Sequence, residues 1–249
     1  RYVQALECDQ ASGDRRALVA TLGNLGNICA VSGRRAQAQN YYEEVLELQK
    51  ILGDERGIGV TLANLGNLRA DSGEWERARA YYLEAQDIMD RVHDDAGKAV
   101  LFSDLGLVAR ETGHYDEALQ YYQRSLALMR RIGNAGGMAD AWRMIARTHI
   151  MQERYEEAVA CCRTSLGIAE RLDDELRAAG AWYLMADSFE RQGRLEEAVK
   201  LFEQVVRVDQ KYRLPKLEEN THRLNALRAR LMAGEQERSP RRRYQETQA

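Results

Sequence analysis

The sequence predicts an all-α solenoid of stacked antiparallel helix pairs. The first observation is a motif that returns every forty residues. Thr21-Leu22-Gly23-Asn24-Leu25-Gly26-Asn27 comes back as Thr61-Leu62-Ala63-Asn64-Leu65-Gly66-Asn67, and in drifted form as Leu101-Phe102-Ser103-Asp104-Leu105-Gly106-Leu107. The same phase continues through residues 141–147 and 181–187. A fixed period of about 20–50 residues marks stacked units, none of which can bury its apolar face alone. The second observation is composition. The chain is 45% hydrophobic and 30% charged with two prolines, which suits a packed chain of helices.

Residues 1–13 fall in phase with the second half of a unit: Tyr2-Val3-Gln4-Ala5-Leu6 matches Tyr42-Glu43-Glu44-Val45-Leu46 forty residues on. With Arg at position 1, a longer chain with further repeats upstream is expected. Five units follow, 14–53, 54–93, 94–133, 134–173 and 174–213. Each opens on a side chain suited to an N-cap: Asp14, Asp54, Asp94, Asn134 or Asp174. An internal break at Gly33, Gly73, Gly113, Glu153 or Gly193 divides each unit into a first and a second helix. Leu214-Pro215 stops the last of these, since proline cannot continue a helix. Leu217, Leu224, Leu227 and Leu231 then recur at helical spacing, so 214–233 is expected to be a capping helix. From Gly234 to Ala249 a polar tail with Ser239-Pro240-Arg241-Arg242-Arg243 is expected to be flexible.

The internal pattern resembles the tetratricopeptide repeat, W-x2-L-G-x2-Y followed by A-x3-F. Leu22, Leu62, Phe102, Trp142 and Trp182 stand at the Trp position. The Leu-Gly position reads Leu25-Gly26, Leu65-Gly66, Leu105-Gly106, Ile145-Ala146 and Met185-Ala186. The second helix carries Ala38, Ala78, Ala118, Ala158 and Ala198, with Tyr42, Tyr82, Tyr122, Cys162 and Phe202 four residues on. The repeat is long and lacks the usual proline near the end of its second helix. In this it resembles the Leu-Gly-Asn repeat scaffolds (the LGN/Pins family) and, less closely, the kinesin light chain; similar long repeats also occur in bacterial sensors and regulators. No G-protein-binding motif of the scaffold family is present. The resemblance implies a right-handed superhelix whose first helices line a concave, partner-binding wall.

On that wall the resemblance places Asn24, Asn27, Asn64, Asn67, Asp104, Arg143, Arg147, Tyr183 and Asp187 as groove residues, with Leu107, and one turn on Asp71, Arg110, Glu111, Met151 and Arg191. An amide both donates and accepts, so a ladder of asparagines suits a peptide backbone. Arg143 and Arg147 share a face and suit a carboxylate, or else pair with Asp104, Asp140 or Asp187. The asparagines have an alternative role too, bonding between neighbouring helices. The second tyrosine of each doublet (Tyr41-Tyr42, Tyr81-Tyr82, Tyr121-Tyr122) is expected in the core.

The function classes narrow accordingly. A net charge of −3 argues against a nucleic-acid surface over the chain as a whole. No apolar run reaches the length of a membrane span. Cys8, Cys29, Cys161 and Cys162 lack metal spacing and suggest a reducing, cytoplasmic setting. His93, His114, His149 and His222 do not converge with carboxylates. No phosphate loop, nucleophile elbow or zinc-protease motif is present, so neither enzymatic activity nor a cofactor or metal is expected. The expectation is a protein-interaction scaffold taking a peptide segment in its groove. The alternative is a sensor or spacer segment of a larger signalling protein, acting by intramolecular contacts or by self-association through the N-terminal half-repeat or the basic tail.

Overall fold

The computed structural model describes residues 14–246, with side chains to residue 233. The half-repeat at 1–13 and the last three residues lie outside that range. Eleven helices and no strand occur among the described residues. They divide into two compact units, 1–133 and 134–249. The first holds α1 (Arg15–Val31), α2 (Arg35–Leu52), α3 (Glu55–Ala70), α4 (Trp75–Arg91), α5 (Asp95–Glu111) and α6 (Tyr115–Arg131). The second holds α7 (Ala135–Met151), α8 (Tyr155–Arg171), α9 (Glu175–Arg191), α10 (Leu195–Tyr212) and α11 (Leu217–Glu246).

Each pair begins as its first residues dictate. Asp14 accepts from the amides of Arg16 and Ala17. Asp54, Asp94, Asn134 and Asp174 accept from the amide three residues on, at 2.8–3.0 Å. These bonds satisfy donors that a helix start leaves without partners. Every reversal passes through one left-handed residue. Within pairs these are Gly33, Gly73, Gly113 and Gly193, with Glu153 at the same phase. Glu153 holds φ 61°, a conformation that costs a side-chain-bearing residue about 1 kcal/mol. The turn imposes it all the same. The Glu153 amide bonds to the Ile150 carbonyl at 3.0 Å, and the Arg154 amide to that of His149 at 2.8 Å.

The seam between paired helices is built from residues sixteen apart. Ala38, Ala78, Ala118, Ala158 and Ala198 are wholly buried. So are Tyr82, Tyr122, Cys162 and Phe202, and Tyr42 nearly so. A Cβ at Gly26, Gly66 or Gly106 would stand 2.6, 2.5 or 2.6 Å from the ring of Tyr42, Tyr82 or Tyr122. Glycine is therefore required there by a tyrosine ring lying flat on the helix, a closer constraint than helix-to-helix approach alone. In the second unit Ala146 and Ala186 take this position, and Cys162 and Phe202 replace the tyrosine.

First helices of successive pairs also lie side by side: α3 beside α5, and α7 beside α9. Within the second unit α11 packs on α10, burying Leu224 and Leu227 with Leu217 and Leu231 against the same core. Its apolar stripe thus covers the face of the last pair. The helix continues to Glu246, past Gly234, where the sequence placed the start of a polar tail. One glycine costs a helix about 1 kcal/mol and does not by itself end it. Among the described residues no helix is long and apolar enough to cross a membrane.

Candidate binding surface

The first helices of each pair carry the residues singled out from the sequence, and the structure separates them by what already holds each one. Asn24 is exposed and Asn64 half-buried, and neither is hydrogen-bonded among the described residues. Asn27 and Asn67 are exposed but committed on one side. Their Oδ1 atoms accept from the Tyr42 and Tyr82 hydroxyls at 2.8 and 2.5 Å. These bonds satisfy hydroxyls whose rings are buried in the seam, so the asparagines serve packing and surface together. Their NH2 groups make no hydrogen bond among the described residues. The expected donor-and-acceptor amide is at these two positions an oriented donor. The signal lay in the sequence, since Asn27 and Asn67 precede Tyr42 and Tyr82 by the same fifteen residues.

Asp104 stands at the phase of Asn24 and Asn64, and its Oδ2 is buried without a hydrogen-bond partner. Burial pushes its carboxyl up to about 7. The Tyr82 hydroxyl is held above its ordinary range by burial, then by Asp104 and Asp71 nearby. One turn on, Arg110 is buried and paired with Glu111 at 2.8 Å, which withdraws it from a ligand's reach.

In the second unit Tyr183 and Asp187 are already engaged by the chain itself. Arg223 of α11 donates to the Tyr183 hydroxyl at 3.0 Å, to Glu190 at 2.7 Å and to Asp187. Its guanidinium also lies over the Tyr183 and Phe202 rings. Burial opposes the Arg223 charge, but the bonds to Asp187 and Glu190 outweigh it and raise its pKa above the ordinary value. Asp187 is buried and takes a second cation, Arg191, at 2.9 Å. The sequence pointed to these two residues as ligand contacts; α11 engages them instead, because its Arg223 reaches the first helix of the preceding pair. Removing a charge from such a network leaves its partners buried and uncompensated. Arg223→Met is expected to lower stability by about 2 kcal/mol, with loss of hydrogen-exchange protection along α11. An unchanged urea midpoint would mean that α11 is held by its leucines alone.

Arg143 and Arg147 remain. Arg143 lies 3.1 Å from Asp140, which Arg177 also approaches at 3.2 Å. Its guanidinium packs where a Cβ on Gly180 would collide, and its Nε is buried without a partner. Arg147 is exposed and makes no ion pair among the described residues. Both line a cavity of about 480 Å³ between α7, α9, α10 and the start of α11.

Cys161 and Cys162 are free thiols, pushed up by burial to about 11 and about 12. They are protonated near neutral pH and read as packing. Among the described residues no cluster of His, Cys, Asp and Glu is arranged to hold a metal ion.

The helix pairs and their Leu-Gly and Ala positions match a family model described as tetratricopeptide repeat over residues 57–131 and 137–211, and a second so described over 21–56. A comparison with curated proteins found no match. Among solved structures the chain is similar to BtubC (BKLC) from P. vanneervenii, at 16% identity and TM-score 0.75 over 86% of this chain and 90% of that one. It is similar to a signal-transduction ATPase with numerous domains and a tetratricopeptide repeat sensor from Pyrococcus horikoshii, at 17% identity and TM-score 0.71. That match covers 86% of this chain and 33% of the other. A putative kinesin light chain from Podospora anserina with nearly identical repeats is similar at 17% identity and TM-score 0.65, over 78% of this chain and 96% of that one. At these identities the likeness is one of fold. With both units built of antiparallel pairs on the same alanine, leucine and glycine positions, the chain belongs to the tetratricopeptide repeat family.

Proposed function

We propose that the chain is a non-enzymatic protein-interaction module that takes a segment of a partner against the first helices of its pairs. The observation that carries this is the row of amides on α1 and α3. Asn24 and Asn64 make no hydrogen bond among the described residues, and the tyrosines hold the Oδ1 atoms of Asn27 and Asn67 and leave their NH2 groups unbonded among those residues. Such donors suit the carbonyls of an extended or helical segment whatever its side chains. Asparagine is a mediocre helix former, so its recurrence on one face calls for a reason, and for Asn24 and Asn64 no hydrogen bond among the described residues supplies one. The resemblance to Leu-Gly-Asn scaffolds agrees with this reading.

The double substitution Asn24→Ala/Asn64→Ala is expected to weaken partner binding by about 1–3 kcal/mol at unchanged melting temperature. The partner would first be captured from a lysate with the unsubstituted chain, then measured by calorimetry against both proteins. Equal affinity for the two would remove the amide row from the binding surface.

A second reading is a sensor segment within a larger signalling protein. The fold similarity to a tetratricopeptide repeat sensor, of which this chain spans a third, favours it. Concentration-dependent mass in sedimentation would support self-association; a constant monomer mass would count against it.

A further inference from the structure

The second unit contains a site that does not depend on the amide row. The cavity of about 480 Å³ has an apolar lining that includes Met144, Leu176, Leu184, Val205 and Leu214. That volume is in the range of small-molecule sites. Its polar groups are few and they converge. Asn220, at the start of α11, is buried, and its Nδ2 donates to Asp209 Oδ2 at 2.7 Å. That bond fixes the amide, and it leaves Oδ1 as a buried acceptor with no partner. Buried polar atoms in native proteins are nearly always satisfied, so an orphaned one on a cavity wall asks for a donor from a ligand.

The charges on the wall set the ligand's sign. Arg143 and Arg177 are balanced by Asp140 and Asp174. Asp209 is the remaining acid. Against it stand Arg147 and Lys216, which make no ion pair among the described residues. One positive charge is thus left over on a largely apolar wall, carried by exposed side chains.

We propose that this cavity binds an amphipathic carboxylic acid: an apolar body against the apolar lining, an N–H or O–H given to Asn220 Oδ1, and a carboxylate held by Arg147 and Lys216. Two sources carry this chemistry, a free N-acyl amino acid with an apolar side chain and the last residue of a polypeptide. A volume of about 480 Å³ is that of a small-molecule site and not of an extended groove, so the free acid is the expected ligand.

The test uses the whole chain and calorimetry with N-octanoyl-leucine as the probe. Saturable binding is expected, weakening as salt is raised. The methyl ester, which lacks the charge, and the N-methylated amide, which lacks the donor, are each expected to bind about tenfold more weakly. A hexapeptide ending in leucine is compared as the free acid and as the amide, and tighter binding of the free-acid peptide than of octanoyl-leucine would assign the site to a chain terminus. Arg147→Gln/Lys216→Gln, both exposed and so compatible with folding, is expected to lose about tenfold in affinity. Absence of saturable binding, equal binding of the ester, or an unaffected double variant would each overturn the proposal. Asn24→Ala/Asn64→Ala lies in the other unit and is expected to leave probe binding unchanged, so the failure of either reading is seen separately.

Discussion

Gly66→Ala is expected to destabilise the protein by about 3 kcal/mol, although it exchanges a poor helix former for the best one. Propensity alone predicts a gain of about 1 kcal/mol. The opposing term is steric. The new methyl would lie 2.5 Å from the Tyr82 ring, and Tyr82 is wholly buried with its hydroxyl bonded to Asn67. The ring cannot move outward without breaking that bond, and the close-packed seam gives it no other place. Gly23→Ala is the control. It sits on the same kind of helix with nothing within 4 Å of the added carbon, and it is expected to be neutral or stabilising. Urea denaturation of both variants decides the matter. A loss below about 1 kcal/mol for Gly66→Ala would mean that the ring does not rest on the glycine. The second unit suggests a double-mutant cycle, since it carries Ala146 where Cys162 replaces the tyrosine. On a Tyr82→Cys background the cost of Gly66→Ala is expected nearly to vanish, giving a coupling close to the whole single-mutant effect.

Asp104→Asn is expected to stabilise the protein by about 2–3 kcal/mol at pH 8 and to leave stability unchanged near pH 3. Burial raises the Asp104 carboxyl from 3.8 to about 7. Between those values the folded protein holds a proton that the unfolded chain has released. Stability conferred by the neutral acid is therefore complete below the unfolded value and is lost as pH rises toward the folded one. Above about pH 7 the folded state carries a desolvated charge whose Oδ2 has no bond. Asparagine, which occupies the same phase at residues 24 and 64, has no charge to desolvate. The side chain is half-buried and not fully enclosed, so the expected gain is set below the roughly 4 kcal/mol that three pKa units would give. Urea midpoints across pH 3–9 test this. The difference between the two proteins should open through the window from about 4 to about 7; parallel curves would place Asp104 in contact with water.

Most of the architecture was legible because a repeat protein writes its fold locally. The caps at Asp54, Asp94, Asn134 and Asp174 bond to amides three residues away, and the left-handed turns recur at one phase. The burial of the second tyrosine in each doublet follows from its place in the repeat pattern, four residues after a buried alanine. The candidate surface was legible only in part. Position on a helix face says which way a side chain points and is silent on what else has reached it. Tyr183 and Asp187 do stand on the first helix of their pair, yet Arg223, nearly forty residues further on, binds both. Asn220 carried no sequence signal, because its orphaned oxygen arises only where α11 meets α10 and Asp209.

By itself the sequence determined the helical class, the forty-residue unit, the turns that divide it and the residues that fill its seam. These depend on contacts within about one period, and five copies of the pattern remove the ambiguity of any single one. Only the tertiary structure decided which groove side chains are left for a partner. That choice depends on distances between side chains that are far apart in the chain, and on whether each buried polar atom has found another. Asn27 and Asn67 turned out to be half spent on tyrosines and Asp187 wholly spent on arginines, while Arg147 stands beside a cavity with a charge still to be met.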